Sequence, residues 1–457
     1  MNEMIQSWRQ EPRDRKLQYG CVLLTVLAEL IFFTPLWQQT GLAWLAADYF
    51  LVIPGGIFLL LALRRGINRK GRAMLVLSLI MVVWSVCVEI FRLLFGMLPI
   101  EPGEIACYYG LALPMAYAMD DGNRQRGLNA IAALFVLEGI HLCVLAASLM
   151  FGFLPERYSE YVRWDGARLL EMFHPNNCAT LLILGMGFCL GLCFRTKKRW
   201  LQGCLIVLAA VQFGVQALTN GRTSTGFACL MIGGILFCAI RRTGWKRAPL
   251  ALAAGIAATA VLFFAAQKLF AVHQQNLTQI AIQASQAEEE DQGQTQLPKV
   301  NENGKLVTLN GQRSLEKDLF TFNGRTIIWK EAVGGALRHP TILLCGTDSV
   351  AEVLAEDGKT NAPHTHNSFL ETLYTLGLPG LLLAVAITVL ALRAGLMLLW
   401  RNTDLWKSSV AMITLCLLGC SLLEPYLFAA KNYHHYLSFF FLTAAGYLHQ
   451  WYVDSKE

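Results

Sequence analysis

Polar and apolar positions in this chain alternate in blocks the length of a helix, not residue by residue. Apolar runs recur near 17–37, 42–63, 73–97, 104–119, 127–152, 176–194, 200–218, 225–240, 248–270, 376–400, 407–428 and 435–452. A bilayer core about 30 Å thick takes about 20 apolar residues of helix. Each run therefore predicts a membrane-spanning α-helix, about twelve in all, although the fourth is short and carries Pro114. Basic residues bunch between alternate runs, as Arg9/Arg13/Arg15/Lys16, Arg64/Arg65/Arg69/Lys70/Arg72, Arg124/Arg126, Arg195/Lys197/Lys198/Arg199, Arg241/Arg242/Lys246/Arg247 and Arg401/Lys407. With both termini cytoplasmic, every cluster falls on the cytoplasmic side, which is the orientation such clusters favour. The predicted organisation is a cytoplasmic tail (1–16), nine spans (17–270), an extracytoplasmic loop (271–366), three spans (367–452) and a cytoplasmic tail (453–457).

Composition narrows the class further. Of the 457 residues, 55% are hydrophobic and only 15% charged, against about a quarter charged in soluble domains. An all-α polytopic protein of the cytoplasmic membrane is expected, and disorder or a disulfide scaffold is excluded. The formal charge of +6 is modest, and no basic stripe is interleaved with aromatics, so a nucleic-acid partner is not expected. Most of the 13 cysteines lie inside apolar runs, where they read as small buried hydrophobes; Cys345 falls in the long loop. Met1 to Lys16 is polar and the first apolar run is long enough to span, so no cleavable signal peptide is expected.

The outer connections carry the unusual features. Residues 153–175 form a moderate loop. The first half of the long loop, His273 to Asp318, is rich in Gln, Glu and Asn and holds Glu288-Glu289-Glu290-Asp291; hairpin turns are expected at Asn303-Gly304 and Asn310-Gly311. The second half reads as folded. Asn323 is positioned to cap a helix from about Arg325 through Trp329 and Leu337, ended by Pro340, and Ser349 with Glu352 forms a capping-box pattern. Ser368 with Glu371 forms another, and Gly377-Leu378-Pro379-Gly380 breaks the helix that follows.

Three outer residues are candidates for chemistry. Arg222, in Asn220-Gly221-Arg222-Thr223, and Arg325, in Asn323-Gly324-Arg325-Thr326, both stand at predicted helix starts on the side that positive charge avoids. A cation beside the positive end of a helix dipole is unfavourable by a few tenths of a kcal/mol or more. An anion held between the guanidinium and the helix N–H groups would reverse that sign; a salt bridge or simple exposure is the alternative for each. His366, in His364-Thr365-His366-Asn367-Ser368, precedes a helix whose dipole disfavours imidazolium. It reads either as a neutral proton acceptor or as part of a turn. His364 with His366 supplies two metal-type ligands without a clear third, so no metal is expected. His174 either lines a site or precedes a helix cap at Asn176. Glu424, beside Pro425 near the outer end of the eleventh run, is the acidic residue expected to face the site.

His366-Asn367, nine residues, Gly377, two residues and Gly380 resembles the signature of the O-antigen ligase and O-antigen polymerase superfamily. Asn323-Gly324-Arg325 with Ile328-Trp329 and Gly221-Arg222-Thr223 resemble its two Arg segments. Arg163, Gly166 and His174-Pro175-Asn176-Asn177 resemble the stretch before its middle spans. The likeness covers roughly 160–385; the acidic, Gln-rich insert near 280–300 departs from it. It implies transfer of a glycan from undecaprenyl pyrophosphate to an acceptor hydroxyl in surface-polysaccharide synthesis (O-antigen, capsule or exopolysaccharide), without cofactor or metal and with inversion. His366 would then be the base and Arg222 and Arg325 the diphosphate clamp, with His364, Asn367, Arg163, His174 and Glu424 as accessories. The implied partners are the lipid-linked donor, a glycan or lipid acceptor, the bilayer and other polysaccharide assembly proteins. Ligase, polymerase and protein glycan transferase share this donor chemistry. The rival class is a flippase or transporter of lipid-linked glycans, which needs charges along a central cavity rather than ordered Arg and His in an outer loop.

Overall fold

The computed structural model describes residues 13–33, 42–65, 71–94, 96, 102–154, 162–165, 168–171, 175–287, 324–347, 349–401, 404–428 and 435–455. The helices are α1 (Arg13–Phe33), α2 (Leu42–Arg65), α3 (Arg72–Leu94), α4 (Pro102–Ala118) and α5 (Asp121–Met150). A hairpin of β1 (Val162–Asp165) and β2 (Arg168–Glu171) follows, then α6 (Pro175–Arg195), α7 (Arg199–Leu218), α8 (Arg222–Arg241) and α9 (Ala248–Ala287). Beyond the long loop come α10 (Arg325–Arg338), α11 (Pro340–Cys345), α12 (Val350–Ala355), α13 (Ser368–Arg401), α14 (Leu405–Ser421) and α15 (His435–Asp454). Every apolar run read from the sequence overlaps one of these helices. Among the described residues, α3 and α5–α9 together with α13 make seven helices long and apolar enough to cross a membrane; α14 is apolar but shorter.

Two sequence expectations change here. The connection expected as a loop at 153–175 contains an antiparallel strand pair, with Val162 opposite Glu171 and Asp165 opposite Arg168. Nor does the ninth helix end at 270: α9 runs on to Ala287. The stretch after 270 has no Gly or Pro to stop it, and its Ala, Gln, Leu and Ile residues suit a helix. Its Leu277 and Ala281 are buried against Phe270 and Trp164, and the Trp164 ring lies 4.9 Å from that of His273. The hairpin turns expected at 303–304 and 310–311 lie outside the described residues.

The chain divides into two units, one of residues 1–134, 321–401 and 421–457, the other of 135–320 and 402–420. In the second unit, small residues let helix backbones approach closely. Gly233 of α8 meets Gly255 and Thr259 of α9, and Gly191 of α6 accepts the Trp406 ring of α14. In the first unit, one end gathers the basic connections. Arg15 pairs with Asp120 at 2.7 Å, Arg124 with Asp454 at 2.9 Å, Arg401 donates to the Ser455 carbonyl at 3.0 Å, and Gln450 donates to that of Gly71.

At the opposite end of α3 and α13, the loop helices pack into a small core of Ile328, Ala332, Ile342, Val350, Leu354 and Tyr374. The Tyr374 hydroxyl ties α13 to α10 by donating to the Ala332 carbonyl at 2.7 Å. The predicted break in α13 is present at Gly377, with φ 70° and ψ −174°. A left-handed φ suits glycine, and a Cβ at Gly377 would strike the carbonyls of Leu343 and Leu344, so α11 lies directly on the break. The broken helix leaves carbonyls to satisfy, and α3 supplies donors. Trp84 Nε1 donates to Leu376 O at 2.7 Å. Arg92, fully buried, donates to the carbonyls of Cys345, Thr347 and Thr375 at 3.2, 3.0 and 2.9 Å.

Gly377→Ala is therefore expected to destabilise the protein by about 1–3 kcal/mol through backbone strain and the carbonyl contacts. Gly214→Ala, at a helical glycine with open space around it, should be neutral or slightly stabilising. Thermal unfolding in detergent distinguishes them, and equal transition temperatures would show that the break does not hold the fold.

Candidate functional site

The turn before α13 is built by local hydrogen bonds. Asn367 caps the helix, its Oδ1 accepting from the N–H groups of Phe369 and Leu370 at 2.9 and 3.1 Å. The expected Ser368/Glu371 capping box is therefore displaced by one residue. Both side chains have other tasks. Glu371 Oε2 accepts from the N–H and hydroxyl of Thr365 at 2.9 and 2.8 Å, which folds the 364–367 segment back over the helix start. Ser368 donates to the Glu424 carbonyl at 3.0 Å and accepts from the Leu427 N–H at 2.9 Å, while Asn367 Nδ2 donates to Leu422 O at 2.9 Å. The 422–427 segment is thereby laced to the N-terminus of α13, and Glu424 is fixed there.

Glu424 joins residues from three segments. One carboxylate oxygen accepts from Arg325 Nη2 in a buried ion pair, and the other lies 3.0 Å from His366 Nδ1. Arg325 and Glu424 are both buried, whereas the His366 side chain is 22% exposed. An ionised carboxylate only accepts, so the bond at Nδ1 carries the imidazole proton and a neutral ring presents the Nε2 lone pair. His364 Nδ1 accepts the backbone N–H of His366 at 3.2 Å, and the two rings lie 4.0 Å apart. His366 has φ 51°, a left-handed conformation uncommon outside glycine. Such strain collects where a side chain must be aimed.

Arg325 is the first residue of α10, after Gly324 at φ 80°, and no side chain caps that helix. The N-cap expected of Asn323 is thus taken by glycine, and Asn323 itself lies outside the described residues. Arg325 Nε is buried without a hydrogen-bond partner. The helix start therefore offers uncapped N–H groups and an unused guanidinium donor, which together form an anion-binding arrangement. The pattern at Ser349 likewise lacks its expected side-chain cap.

Arg222 belongs to the other unit. It opens α8 after Gly221, again with no side-chain cap, and Asn220 before it has φ 49°. Gly221 is closely approached, since a Cβ would sit 3.3 Å from side-chain atoms of Ala179, Asn176 and Thr219. Arg168 of β2, which stands in no motif of the sequence, donates from Nε to the Thr219 carbonyl at 3.1 Å and ties the hairpin to this link. Arg163 lies on β1 opposite Leu170, and His174 lies outside the described residues. Of the sequence candidates, the structure brings together Arg325, His364, His366, Asn367 and Glu424.

His364, His366 and Glu424 also form a three-ligand group with donor atoms within 4.8 Å of one another, so the third ligand that the sequence did not reveal is Glu424. The Arg325 guanidinium already neutralises that carboxylate, and a second cation beside it would meet like charge.

Removing one partner of a buried pair leaves an uncompensated charge, at about 3–5 kcal/mol. Arg325→Met and Glu424→Leu are each expected to destabilise by that order. The double variant should cost clearly less than their sum in denaturant unfolding; additive costs would show that the two side chains act independently.

Residues 209–385 match the family model described as O-antigen ligase. No curated protein matches the chain. The matched segment includes Arg222, Arg325, His364, His366 and Asn367, and stops before Glu424. Over that segment this multi-helix membrane protein is similar to the O-antigen ligase family.

Proposed function

We propose that the chain transfers a glycan from a polyprenyl diphosphate carrier, undecaprenyl pyrophosphate, to an acceptor hydroxyl on the outer face of the cytoplasmic membrane. The observation that carries this reading is the Glu424 carboxylate shared between a helix-start arginine and a histidine. The sugar's anomeric carbon already bears a good leaving group, so transfer asks for two things: removal of the acceptor proton and stabilisation of the departing diphosphate. His366 Nε2 accepts that proton, while Glu424 at Nδ1 holds the tautomer and stabilises the imidazolium as it forms. The acceptor oxygen forms its bond to the anomeric carbon as the carbon–oxygen bond to the diphosphate breaks, with inversion. The electron pair leaves on the diphosphate.

Arg325, with its unused Nε and the uncapped N–H groups of α10, receives the charge that develops on the leaving group. Arg222, at the start of α8, carries the same kind of group, and its assignment to the diphosphate is supported by the Arg segment within the matched stretch. The outer-face assignment is supported by the position of His366 and Arg325 at the end of the α3 and α13 helices opposite the basic connections. The Arg325 guanidinium on Glu424 takes the role that a cation would otherwise fill, so the reaction runs without a metal.

A reconstituted transfer assay with a polyprenyl-diphosphate-linked glycan tests the assignment. His366→Ala should lower the rate by about 10²–10⁴-fold, the usual weight of a positioned base. Arg325→Ala and Arg222→Ala should each lower it by about 10²–10³-fold, with every rate taken per mole of folded protein because Arg325→Ala also breaks a buried ion pair. Transfer should survive EDTA. Full activity in His366→Ala removes the base assignment, and loss of activity in EDTA with recovery on adding Zn²⁺ replaces it with a metal site at His364, His366 and Glu424.

A further inference from the structure

We infer that the loop helices α10 and α11 are an interfacial element: one face of them lies against the lipid bilayer, continuous with the lipid-facing ridge of α13. At about 100° per residue, the buried positions of α10 (Arg325, Ile328, Glu331, Ala332, Gly335 and Ala336) fall on one side. The opposite arc carries Ile327, Val333 and Leu337, exposed by 49%, 48% and 69%, with Lys330 between them. A soluble loop helix places charges there. Here the only carboxylate of α10, Glu331, points inward and is held by Lys359 at 3.0 Å. Arg338, at the edge of the arc, is paired with Glu356 and Asp357. An exposed strip of aliphatic side chains and lysine without acid is the pattern of a helix lying in a membrane interface. Its apolar face enters the acyl boundary there and its ammonium reaches back to anionic headgroups.

The rest of the unit says what covers this strip. Beyond the break at Gly377, α13 exposes Leu378, Leu382, Val385, Val389, Leu392 and Leu396. Their spacing of three and four residues aligns them along one face of a helix that is long and apolar enough to cross a membrane. The end of α11 is seated on that break, where the Leu344 carbonyl faces Gly377 and the Leu344 side chain is 44% exposed. Leu344 thus stands at the top of the α13 ridge, and α10 continues from α11 through His339 alone. The apolar surface runs from the span onto the loop helices. Bilayer lipid, which already covers the span, is the occupant this continuity favours over a protein partner.

The test uses the full chain in nanodiscs of phosphatidylethanolamine and phosphatidylglycerol with no polyprenyl diphosphate present. The photoreactive residue p-benzoylphenylalanine replaces Leu337, Val333 or Leu344 in turn. Leu382 serves as a membrane-embedded positive site and exposed Glu352 of α12 as a negative one. Because the replaced loop side chains are exposed, folding should be retained; an unchanged unfolding temperature confirms it. After irradiation, phospholipid adducts are expected at Leu337, Val333 and Leu344 at a yield comparable to that at Leu382, and lost at Glu352. Lipid adducts at Leu382 alone overturn the inference, as do cross-links from the loop sites only to protein. Adducts that appear only after undecaprenyl diphosphate is added also overturn it, assigning the strip to the donor's tail instead of the bilayer. No arm measures transfer, so the outcome is independent of the catalytic reading.

Discussion

One carboxylate organises the end of the first unit that lies away from the basic connections. Glu424 is buried, and a buried carboxylate is unfavourable unless charge and hydrogen bonds compensate it. Its two oxygens take Arg325 from the start of α10 and His366 from the turn before α13, while its backbone carbonyl accepts from Ser368. A loop between spans, a helix of the long insertion and the first turn of a span therefore cannot move separately without breaking a charged contact. The geometry proposed for proton transfer and anion binding is consequently a by-product of satisfying one acid.

The rest of the unit keeps that acid supplied with partners. Asn367 caps α13, freeing Ser368 to face the 424–427 segment and Glu371 to hold Thr365. The break at Gly377 lets α11 approach the helix backbone, and Trp84 and Arg92 of α3 occupy carbonyls around it. Local hydrogen bonding at the turn and long-range hydrogen bonding at the break thus serve the same end. Both fix the direction in which a strained histidine points.

Much of this was legible along the chain because its signals are local. Apolar runs give the helices, Gly324-Arg325 and Pro340 bracket α10, and Gly377 with Pro379 marks the break. Asp165-Gly166 between short β-prone stretches is a hairpin signal as well, a weak one beside so strong a helical pattern. What sequence could not give were the pairings. Glu424 meets Arg325 across 99 residues and His366 across 58, and nothing in the spacing of a single sequence encodes such a contact. Ser368 and Glu371 fit a capping box by spacing, yet each found a better partner among groups that only the folded chain brings near. Helix α9 outran its expected end because hydropathy marks where lipid stops, not where helical hydrogen bonding does.

Arg92 carries a consequence for how the protein is made. Its guanidinium sits in a span that also carries Glu89 one helical turn away, and is bonded to carbonyls that lie 253 to 283 residues later in the chain. A charge at membrane depth without partners is costly. During synthesis the third helix forms before these three carbonyls exist, with Glu89 already one turn away on the same helix. The bonds to the loop and to the broken helix are made only when the last third of the polypeptide arrives, so a product truncated before Cys345 would lack all three.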